Sequence, residues 1–361
     1  HDALPICKQL FKAIAAGGII LDAHTGKVIA MVSLPDFDNN IFADGIKGTA
    51  EVEAYNRLLN DPNTPFLNRA ISGTYPPGST FKIVTASGVL EKNIVDAQTK
   101  IDSPGFIQVA NQFDPTKSFI YKDWKASGHG LLTIIGALAE SSDTFFYKVT
   151  GGFENISGLG VEALSAMAHQ FGLGKILGID LPAEQSGIVP TSSWKQAVLN
   201  SSWLTGDTYN YAIGQGYLLT TPLQVAGYTS VIASNGKLYQ PYVIKSIVNC
   251  ANASEKEPQI ISENFLSQNV LDTVKQGMYN VIYDKNGTAK SLQSLPFKVG
   301  GKTGTAQYNN NQSIHAWFTA FAPFENPEIV VTVIVDGGGE GSEVAVPLAQ
   351  QLLQWWGEKY R

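Results

Sequence analysis

Strand-forming segments lie at both ends of the chain and helix-forming segments lie between them, and this order constrains the fold more than any other feature. Near the N-terminus, Gly18–Leu21 and Lys27–Ser33 flank a turn that ends at Gly26, as in a β-hairpin. Three more strand-like runs end the chain, and short loops join them, as antiparallel neighbours require. The pattern predicts an α+β fold with one antiparallel sheet built from both chain ends. The C-terminal runs are Gly301–Gln307, Ala316–Phe321 and Ile329–Val335.

Six segments have the length and apolar spacing of helices. One of them carries a start signal, because Pro222 stands in its first turn and Thr220 and Thr221 are candidate caps. The stretch between the first hairpin and Pro77 has few such signals, so we expect it to be rich in loops. The predicted helices are Thr80–Glu91, Leu131–Ala139, Val161–Phe171, Pro222–Ala233, Phe265–Ile282 and Val344–Trp356.

The composition of the 361-residue chain excludes several classes of protein. With 44% hydrophobic residues and a net charge of -6, the chain can bury a large core and is not disordered. The acidic balance disfavours nucleic acid as a partner. The longest apolar run, Ile329–Val335, is far shorter than the roughly 18–20 residues that cross a bilayer.

Because the chain begins with His1, we expect a trimmed fragment. Cys7 and Cys250 are too few for a disulfide scaffold, and the sequence leaves a bond between them open.

Ser79 and Lys82 form the first catalytic motif, at the entry to a predicted helix. Residues three apart share one face of a helix, so the Lys82 amine can reach the Ser79 hydroxyl. A serine becomes a nucleophile when a base takes its proton, and a lysine serves if burial or a cationic neighbour lowers its pKa. The helix N-terminus adds N–H groups where an oxyanion forms. Taken alone, this pair is better explained by a serine that caps the helix and a solvated lysine.

Two further motifs follow in order along the chain. Ser141-Ser142-Asp143 lies just past a predicted helix, and Lys302-Thr303-Gly304-Thr305 opens a predicted strand. The ordered set SxxK, Ser-x-Asn/Asp and Lys-Thr/Ser-Gly is the signature of serine acyltransferases that act on penicillins and on D-Ala-D-Ala peptides. Each later motif alone would be read as a cap, a turn or a strand. All three together, on the expected helix, loop and strand, indicate that enzyme class.

The sequence resembles the transpeptidase domain of class B penicillin-binding proteins over nearly its whole length. Within that class it is most similar to the penicillin-binding protein 2 group of the rod-elongation machinery, for which the Asp at position 143 is typical. The resemblance implies a serine β-lactamase-like fold: a five-stranded antiparallel sheet flanked by helices, with an all-helical subdomain. It also implies that residues 1–361 form a single domain, without the family's N-terminal membrane anchor and pedestal domain. The matching segments include Asn68-Arg69-Ala70, Tyr75-Pro76-Pro77-Gly78-Ser79, Gly178-Ile179-Asp180-Leu181 and Gly214-Gln215-Gly216.

The same resemblance implies roles for the first two motifs. Ser79 would attack the carbonyl carbon of the penultimate D-Ala of a stem peptide, forming an acyl-enzyme and releasing the terminal D-Ala, with Lys82 as the base. Ser141 would relay a proton to the leaving amine, and Asp143 would orient Lys82 and the substrate. An amine of a neighbouring peptide would then take the acyl group, whereas a carboxypeptidase would use water.

The third motif would bind the substrate. Lys302 and the hydroxyls of Thr303 and Thr305 would hold the carboxylate of the substrate or of a β-lactam, and Gly304 would let the substrate approach the strand closely. The backbone N–H groups of Ser79 and Thr305 would form the oxyanion hole, where one donor is worth roughly 3–4 kcal/mol in comparable enzymes. Neither the motifs nor the resemblance requires a cofactor.

The resemblance also implies a place and partners. The expected location is the periplasm, with the intact protein anchored in the inner membrane. The expected partners are peptidoglycan stem peptides, β-lactam antibiotics and, for the intact protein, a SEDS-family glycosyltransferase and elongation scaffold proteins. The short polar connection Tyr308–Ser313, which contains Asn309–Gln312, follows the substrate-binding strand, and we expect its mobility to gate the cleft.

Three other classes of function are compatible with parts of the pattern. A class D-like β-lactamase or a β-lactam sensor shares Ser-Thr-Phe-Lys but carries Ser-x-Val and Tyr-Gly-Asn, whereas position 143 is Asp and no Tyr-Gly-Asn occurs. Class A enzymes use the Glu of an ExxLN loop, which none of the Leu-Asn pairs here has. A non-catalytic peptidoglycan-binding module would keep its function without Ser79, and a Ser-His-Asp hydrolase would show a GxSxG motif.

A metal site is the last possibility that the resemblance raises. Some relatives in the elongation subgroup bind zinc beside the active serine through two Asp, a His and a Cys. Here Asp102, Asp123 and His129 match three of those ligands, but Ser142 stands where the Cys would be. A neutral hydroxyl is a poor zinc ligand. We therefore predict no metal and expect Asp123 and His129 to make hydrogen bonds in their loop.

Overall fold

The structure, a computed structural model, describes residues 15–110, 116–248, 253–308 and 313–360. Cys7, Cys250 and the predicted gating segment Asn309–Gln312 lie outside the described residues.

The described residues form thirteen strands and ten α-helices. The strands are β1 (Ala15–Asp22), β2 (Val28–Leu34), β3 (Ile101–Ser103), β4 (Phe106–Ala110), β5 (Ser118–Lys122), β6 (Gly130–Leu132), β7 (Leu238–Tyr239), β8 (Ser246–Val248), β9 (Ala253–Glu255), β10 (Ile260–Ser262), β11 (Gly300–Tyr308), β12 (Ser313–Ala322) and β13 (Ile329–Asp336). The helices are α1 (Thr49–Leu59), α2 (Lys82–Glu91), α3 (Ile134–Ala139), α4 (Asp143–Gly151), α5 (Val161–Gln170), α6 (Ser192–Leu199), α7 (Thr205–Ala212), α8 (Pro222–Ala233), α9 (Gln268–Tyr283) and α10 (Ala345–Tyr360). Short 3-10 turns lie at Asn39–Phe42, Gly78–Phe81 and Lys290–Ser294.

The central sheet has five antiparallel strands in the order β11-β12-β13-β1-β2, which confirms the predicted α+β fold. The N-terminal strand β1 pairs along its full length with β13, from Ala15 opposite Asp336 to Asp22 opposite Ile329. Both chain ends therefore build one sheet. The strand with the third motif, β11, lies at the edge, so one of its sides is free to face a ligand.

Helices cover both faces of the sheet. Neighbouring residues of a strand point to opposite faces, and here both sets are buried: Ile19 and Trp317 belong to the cluster on the side of α2 and α8, whereas Ile20 and Phe318 belong to the cluster on the side of α10. Strands buried on both faces read as continuous apolar runs, as Ile329–Val335 does.

Helix α8 begins at the threonine and proline residues that predicted its start. Pro222 occupies its first turn, the Thr221 hydroxyl accepts a hydrogen bond from the Gln224 amide at 3.2 Å, and the Gln224 side chain accepts one from the Thr221 amide at 3.0 Å. This capping box satisfies two N–H groups that the helix start leaves without partners. All residues of α8 are buried, because it crosses the sheet beneath the cleft described below.

Several features differ from the sequence expectations, and helices α4, α6 and α7 were not predicted. Helix α1 lies in the stretch expected to be loops, and its N-cap Gly48 makes no side-chain hydrogen bond, so the usual start signal of a helix is missing there. The helical part also contains short two-stranded ribbons, β3 with β6 and β4 with β5, so it is not purely helical. None of the helices in the described ranges combines the length and the apolarity that a bilayer crossing requires.

Candidate active site

A cleft of about 990 Å³ lies between the edge strand β11 and the helical part, and residues of all three sequence motifs line it. Ser79 comes from the first motif, Ser141 and Asp143 from the second, and Thr303, Gly304 and Thr305 from the third. The two motif lysines, Lys82 and Lys302, are fully buried next to these residues. The structure therefore brings together every residue that the sequence analysis assigned to catalysis or substrate binding.

Ser79 lies in the 3-10 turn that leads directly into α2. It is half-buried, while the next three residues are fully buried, so the turn is fixed from below and presents Ser79 to the cleft. The Thr80 hydroxyl donates to the Pro77 carbonyl at 2.7 Å and accepts from the Tyr228 hydroxyl of α8 at 2.7 Å. The nucleophile candidate therefore stands on a rigid support.

Two glycines allow this turn to touch the edge strand. Gly78 has a φ of +54°, and a Cβ there would lie 2.6 Å from the Thr305 carbonyl oxygen. A Cβ on Gly304 would lie 2.9 Å from the Thr80 methyl group and 3.0 Å from the Pro77 carbonyl oxygen. The backbones of the first and third motifs are thus packed against each other, which is how Ser79 and Thr305 become neighbours.

Lys82 connects the first motif to the second. Its Nζ donates to Asp143 Oδ1 at 2.6 Å and to the Ser141 carbonyl oxygen at 2.7 Å, and Ser141 Oγ lies 3.4 Å away. The Lys82 side chain is fully buried, and 14% of the Asp143 side chain is exposed. Burial raises the pKa of the Asp143 carboxyl, and the Lys82 charge only partly opposes that shift.

Lys302 approaches the same hydroxyl from the sheet. Its Nζ donates to Ser141 Oγ at 2.8 Å and to the Thr303 carbonyl oxygen at 3.0 Å. Burial, and then the charge of Lys82, hold the pKa of the Lys302 amine well below its usual value. The amines of Lys82 and Lys302 therefore both lie within hydrogen-bond distance of the Ser141 hydroxyl. This hydroxyl can pass a proton from one amine to the other.

Ser141 has an unusual backbone. Its φ is +59°, in the left-handed region that a serine rarely adopts, at a cost of order 1–3 kcal/mol. The residues after it are held by Asp123, whose Oδ2 accepts from the Asp143 amide at 2.8 Å, the Thr144 amide at 2.9 Å and Ser142 Oγ at 3.0 Å. Asp123 thus fixes the start of α4, and with it the positions of Ser141 and Asp143.

His129 extends this support to the residue before Ser141. Its Nε2 lies 3.0 Å from Asp123 Oδ1 and its Nδ1 lies 2.8 Å from Glu140 Oε2. Both nitrogens face carboxylate oxygens, and this arrangement favours the imidazolium, the form of the ring in which both nitrogens donate. Burial lowers the pKa of His129, but the hydrogen bonds to Asp123 and Glu140 raise it by more than burial lowers it. The net pKa of His129 is therefore above the ordinary value. We call Asp123, His129 and Glu140 the carboxylate–imidazolium clamp.

The clamp residues do not fit a zinc ion. The Ser142 hydroxyl donates to Asp123, so it is not a ligand, and Asp123 Oδ2 already accepts from two backbone amides. Asp102 is exposed in β3. Within residues 15–110, 116–248, 253–308 and 313–360, no group of three or more His, Cys, Asp or Glu side chains could hold a metal.

The clamp predicts a pH-dependent contribution to stability. A raised histidine pKa stabilises the fold fully below the unfolded value of roughly 6.5, and that contribution disappears as the pH rises through the folded pKa. We expect His129→Gln to lower the free energy of unfolding by about 2–3 kcal/mol at pH 6, since two charge-assisted hydrogen bonds are lost. Denaturant unfolding should show that the difference in free energy of unfolding between His129→Gln and the unmodified chain becomes smaller from pH 6 to pH 9.

His169→Gln is the matched control, because the ring of His169 bonds the Leu173 carbonyl oxygen instead of a carboxylate. This variant separates the loss of the clamp from the general effect of replacing a histidine by glutamine. A difference in free energy of unfolding that stays constant for His129→Gln across the pH range would mean that the ring is neutral in the clamp.

The structure shows the hydrogen bond expected between Asp123 and His129, but three partners of the motif residues were not predicted from the sequence. Glu140 supports the second motif, as described above. Thr288 Oγ1 lies 2.7 Å from Thr303 Oγ1, and the Thr305 hydroxyl donates to Glu340 Oε2 at 2.8 Å. Each contact joins segments that are distant in sequence or belong to different elements, so no local pattern announces it. Only the position of Glu140 next to Ser141 was a usable signal.

Comparison with known proteins agrees with the geometry. The family described as penicillin binding protein transpeptidase domain matches residues 16–354. Among curated proteins, the chain is 38% identical over 364 residues to peptidoglycan D,D-transpeptidase MrdA of Haemophilus influenzae, covering 96% of this chain and 54% of that protein. The chain thus spans about half the length of the curated relatives it matches.

Solved structures of two relatives share the fold. Pseudomonas aeruginosa PBP2 in complex with WCK 5153 superposes with a TM-score of 0.86 at 31% identity, covering 98% of this chain and 73% of that one. Helicobacter pylori PBP2 in complex with MreC superposes with a TM-score of 0.84 at 32% identity, covering 100% of this chain and 63% of that one.

Proposed function

We propose that this chain, which belongs to the penicillin-binding protein transpeptidase family, is a single transpeptidase domain that cross-links peptidoglycan stem peptides through an acyl-enzyme on Ser79. Its substrates are peptides that end in D-Ala-D-Ala, and β-lactams acylate the same serine. The observation that carries the proposal is the convergence of Lys82 and Lys302 on Ser141 Oγ, at 3.4 Å and 2.8 Å, in the cleft that Ser79 lines.

Acylation follows from this arrangement. The Ser79 oxygen bonds to the carbonyl carbon of the penultimate D-Ala, and the C–N bond to the terminal D-Ala breaks. Lys82 takes the Ser79 proton, for which it must be an uncharged amine. Asp143 Oδ1 lies 2.6 Å from Lys82 Nζ and burial raises the pKa of its carboxyl, so Asp143 is positioned to accept a proton from Lys82. Ser141 gives its proton to the leaving nitrogen and recovers one from a lysine.

The third motif holds the substrate. The hydroxyls of Thr303 and Thr305 and the amine of Lys302 bind the terminal carboxylate, while the backbone N–H groups of Ser79 and Thr305 stabilise the oxyanion. An amine of a second stem peptide then attacks the ester carbonyl, releases Ser79 and completes the cross-link. Acylation of D-Ala-D-Ala and capture by water would instead give a carboxypeptidase.

The biological setting follows from the relatives. We propose that the chain acts in the periplasm during cell elongation, as part of a protein anchored in the inner membrane. The complex of the Helicobacter pylori relative with MreC supports a scaffold protein as a partner. A SEDS-family glycosyltransferase is the partner proposed for glycan polymerisation.

Intact-protein mass spectrometry after addition of benzylpenicillin tests the proposal. We expect one penicillin per chain, bound for hours, and peptide mapping should locate it on Ser79. An adduct that forms and clears while penicillin is consumed would show a β-lactamase. A chain that forms no adduct would contradict an acylating serine in this domain.

A further inference from the structure

Glu340 contacts the hydroxyl that the proposed function gives to the substrate. Thr305 Oγ1 donates to Glu340 Oε2 at 2.8 Å, and it accepts from the Gly341 amide at 3.2 Å. Both Glu340 and Thr305 line the cleft with Ser79. Glu340 is exposed, so its carboxylate is not held there by burial.

A hydroxyl has only one proton to donate. While Thr305 donates to Glu340, it cannot donate to the carboxylate of an incoming acyl donor. Two carboxylates at one hydroxyl would also repel each other, because like charges a few ångströms apart disfavour each other even where water screens them. Binding of an anionic acyl donor at Thr305 therefore requires Glu340 to leave.

The segment around Glu340 permits that movement. Gly341 is fixed, because a Cβ there would lie 2.2 Å from the Gly304 carbonyl oxygen, directly over the edge strand. On the other side, Gly337 and Gly339 have φ values of +66° and +97°, and a Cβ on either would meet no atom within 4 Å. The backbone that carries Glu340 is thus held close to Thr305 through Gly341, whereas the space around the preceding glycines Gly337 and Gly339 is open.

We propose that Glu340 determines specificity by competing with the carboxylate of the acyl donor for the Thr305 hydroxyl. The inference rests on the proposed function of Thr305. It implies that Glu340 slows acylation by ligands with a free carboxylate and has little effect on ligands in which that group is esterified.

The second-order rate constant of acylation tests the competition, with benzylpenicillin and its methyl ester as probes. We expect Glu340→Ala to raise the rate with benzylpenicillin about tenfold, since one charged competitor is removed. The rate with the methyl ester should change less than twofold. Glu343→Ala is the matched control, because Glu343 lines the same cleft. This substitution removes the same charge and leaves the contact between Glu340 and Thr305 in place.

A double-mutant cycle with Thr305→Val isolates the contact. In the Thr305→Val background, Glu340→Ala should leave the benzylpenicillin rate unchanged within a factor of two. An unchanged rate for Glu340→Ala alone, or an equal rise for Glu343→Ala, would overturn the competition. A loss of rate with both ligands would show that Glu340 is a structural support of Thr305. Absence of acylation in the unmodified chain would refute the proposed function itself.

Discussion

Ser79→Ala is expected to form no covalent adduct with benzylpenicillin and to lose transpeptidase activity. In other serine acyl enzymes, removal of the nucleophile lowers kcat by about 10⁶-fold, and a comparable loss is expected here. Alanine fits the site, because Ser79 is only half-buried and the turn is held by Thr80 and by the contact of Gly78 with Thr305. The fold should therefore persist, and intact-mass spectrometry over hours measures the effect.

Ser72→Ala is a suitable control on the same segment. The Ser72 hydroxyl donates to the Ala183 carbonyl oxygen at 2.7 Å and takes no part in lining the cleft. This variant should be acylated like the unmodified chain. An adduct that persists on Ser79→Ala would show that another residue is the nucleophile, and would contradict the proposed mechanism.

Lys82→Met should give the second-largest loss, about 10²–10⁴-fold in the acylation rate constant, because general-base catalysis is worth that much. Methionine fills the space of the buried lysine stem but accepts no proton. The substitution also leaves Asp143 without the cation whose Nζ lies 2.6 Å from Oδ1. Stopped-flow acylation with a fluorescent penicillin measures the rate, and denaturant unfolding measures the stability.

Two comparisons separate the loss of the base from damage to the fold. Lys92→Met changes an exposed lysine at the end of the same helix and should have no effect. Adding Asp143→Asn to Lys82→Met should recover stability but no activity, because an amide carries no charge to bury. Acylation of Lys82→Met within tenfold of the unmodified rate would exclude Lys82 as the base.

The sequence predicted the sheet and six of the ten described α-helices, but not the buried helix α4. Their signals are local: a two-residue alternation or an apolar run for strands, and caps such as Thr221 before Pro222 for helices. Helix α1 was missed because it begins after Gly48, which gives none of the side-chain start signals of a helix. The β4–β5 ribbon was missed because short strands in a helical region carry little pattern of their own.

The motif residues of the site could also be identified from the sequence, but their support could not. Ser79 and Lys82 are three residues apart, in the turn and the helix that follow one another, and the spacing shows it. Glu140, Thr288 and Glu340 act through contacts with other elements. Those contacts depend on how the edge strand meets the helical part, which no local pattern determines. The left-handed backbone of Ser141 is likewise a product of that packing.

The pairing of β1 with β13 also has a consequence for biosynthesis. A chain that emerges N-terminus first presents the β1–β2 hairpin with the side of β1 that later meets β13 still unpaired, and β13 is the last strand to arrive. Such long-range pairing is slow, and an open edge invites association with other chains. The edge strand β11 reaches the sheet only through β12 and β13. A nascent chain that stops before Ile329 therefore contains Ser79 and Lys82 but no completed sheet, and the apolar surface that the sheet would bury stays open to association with other chains.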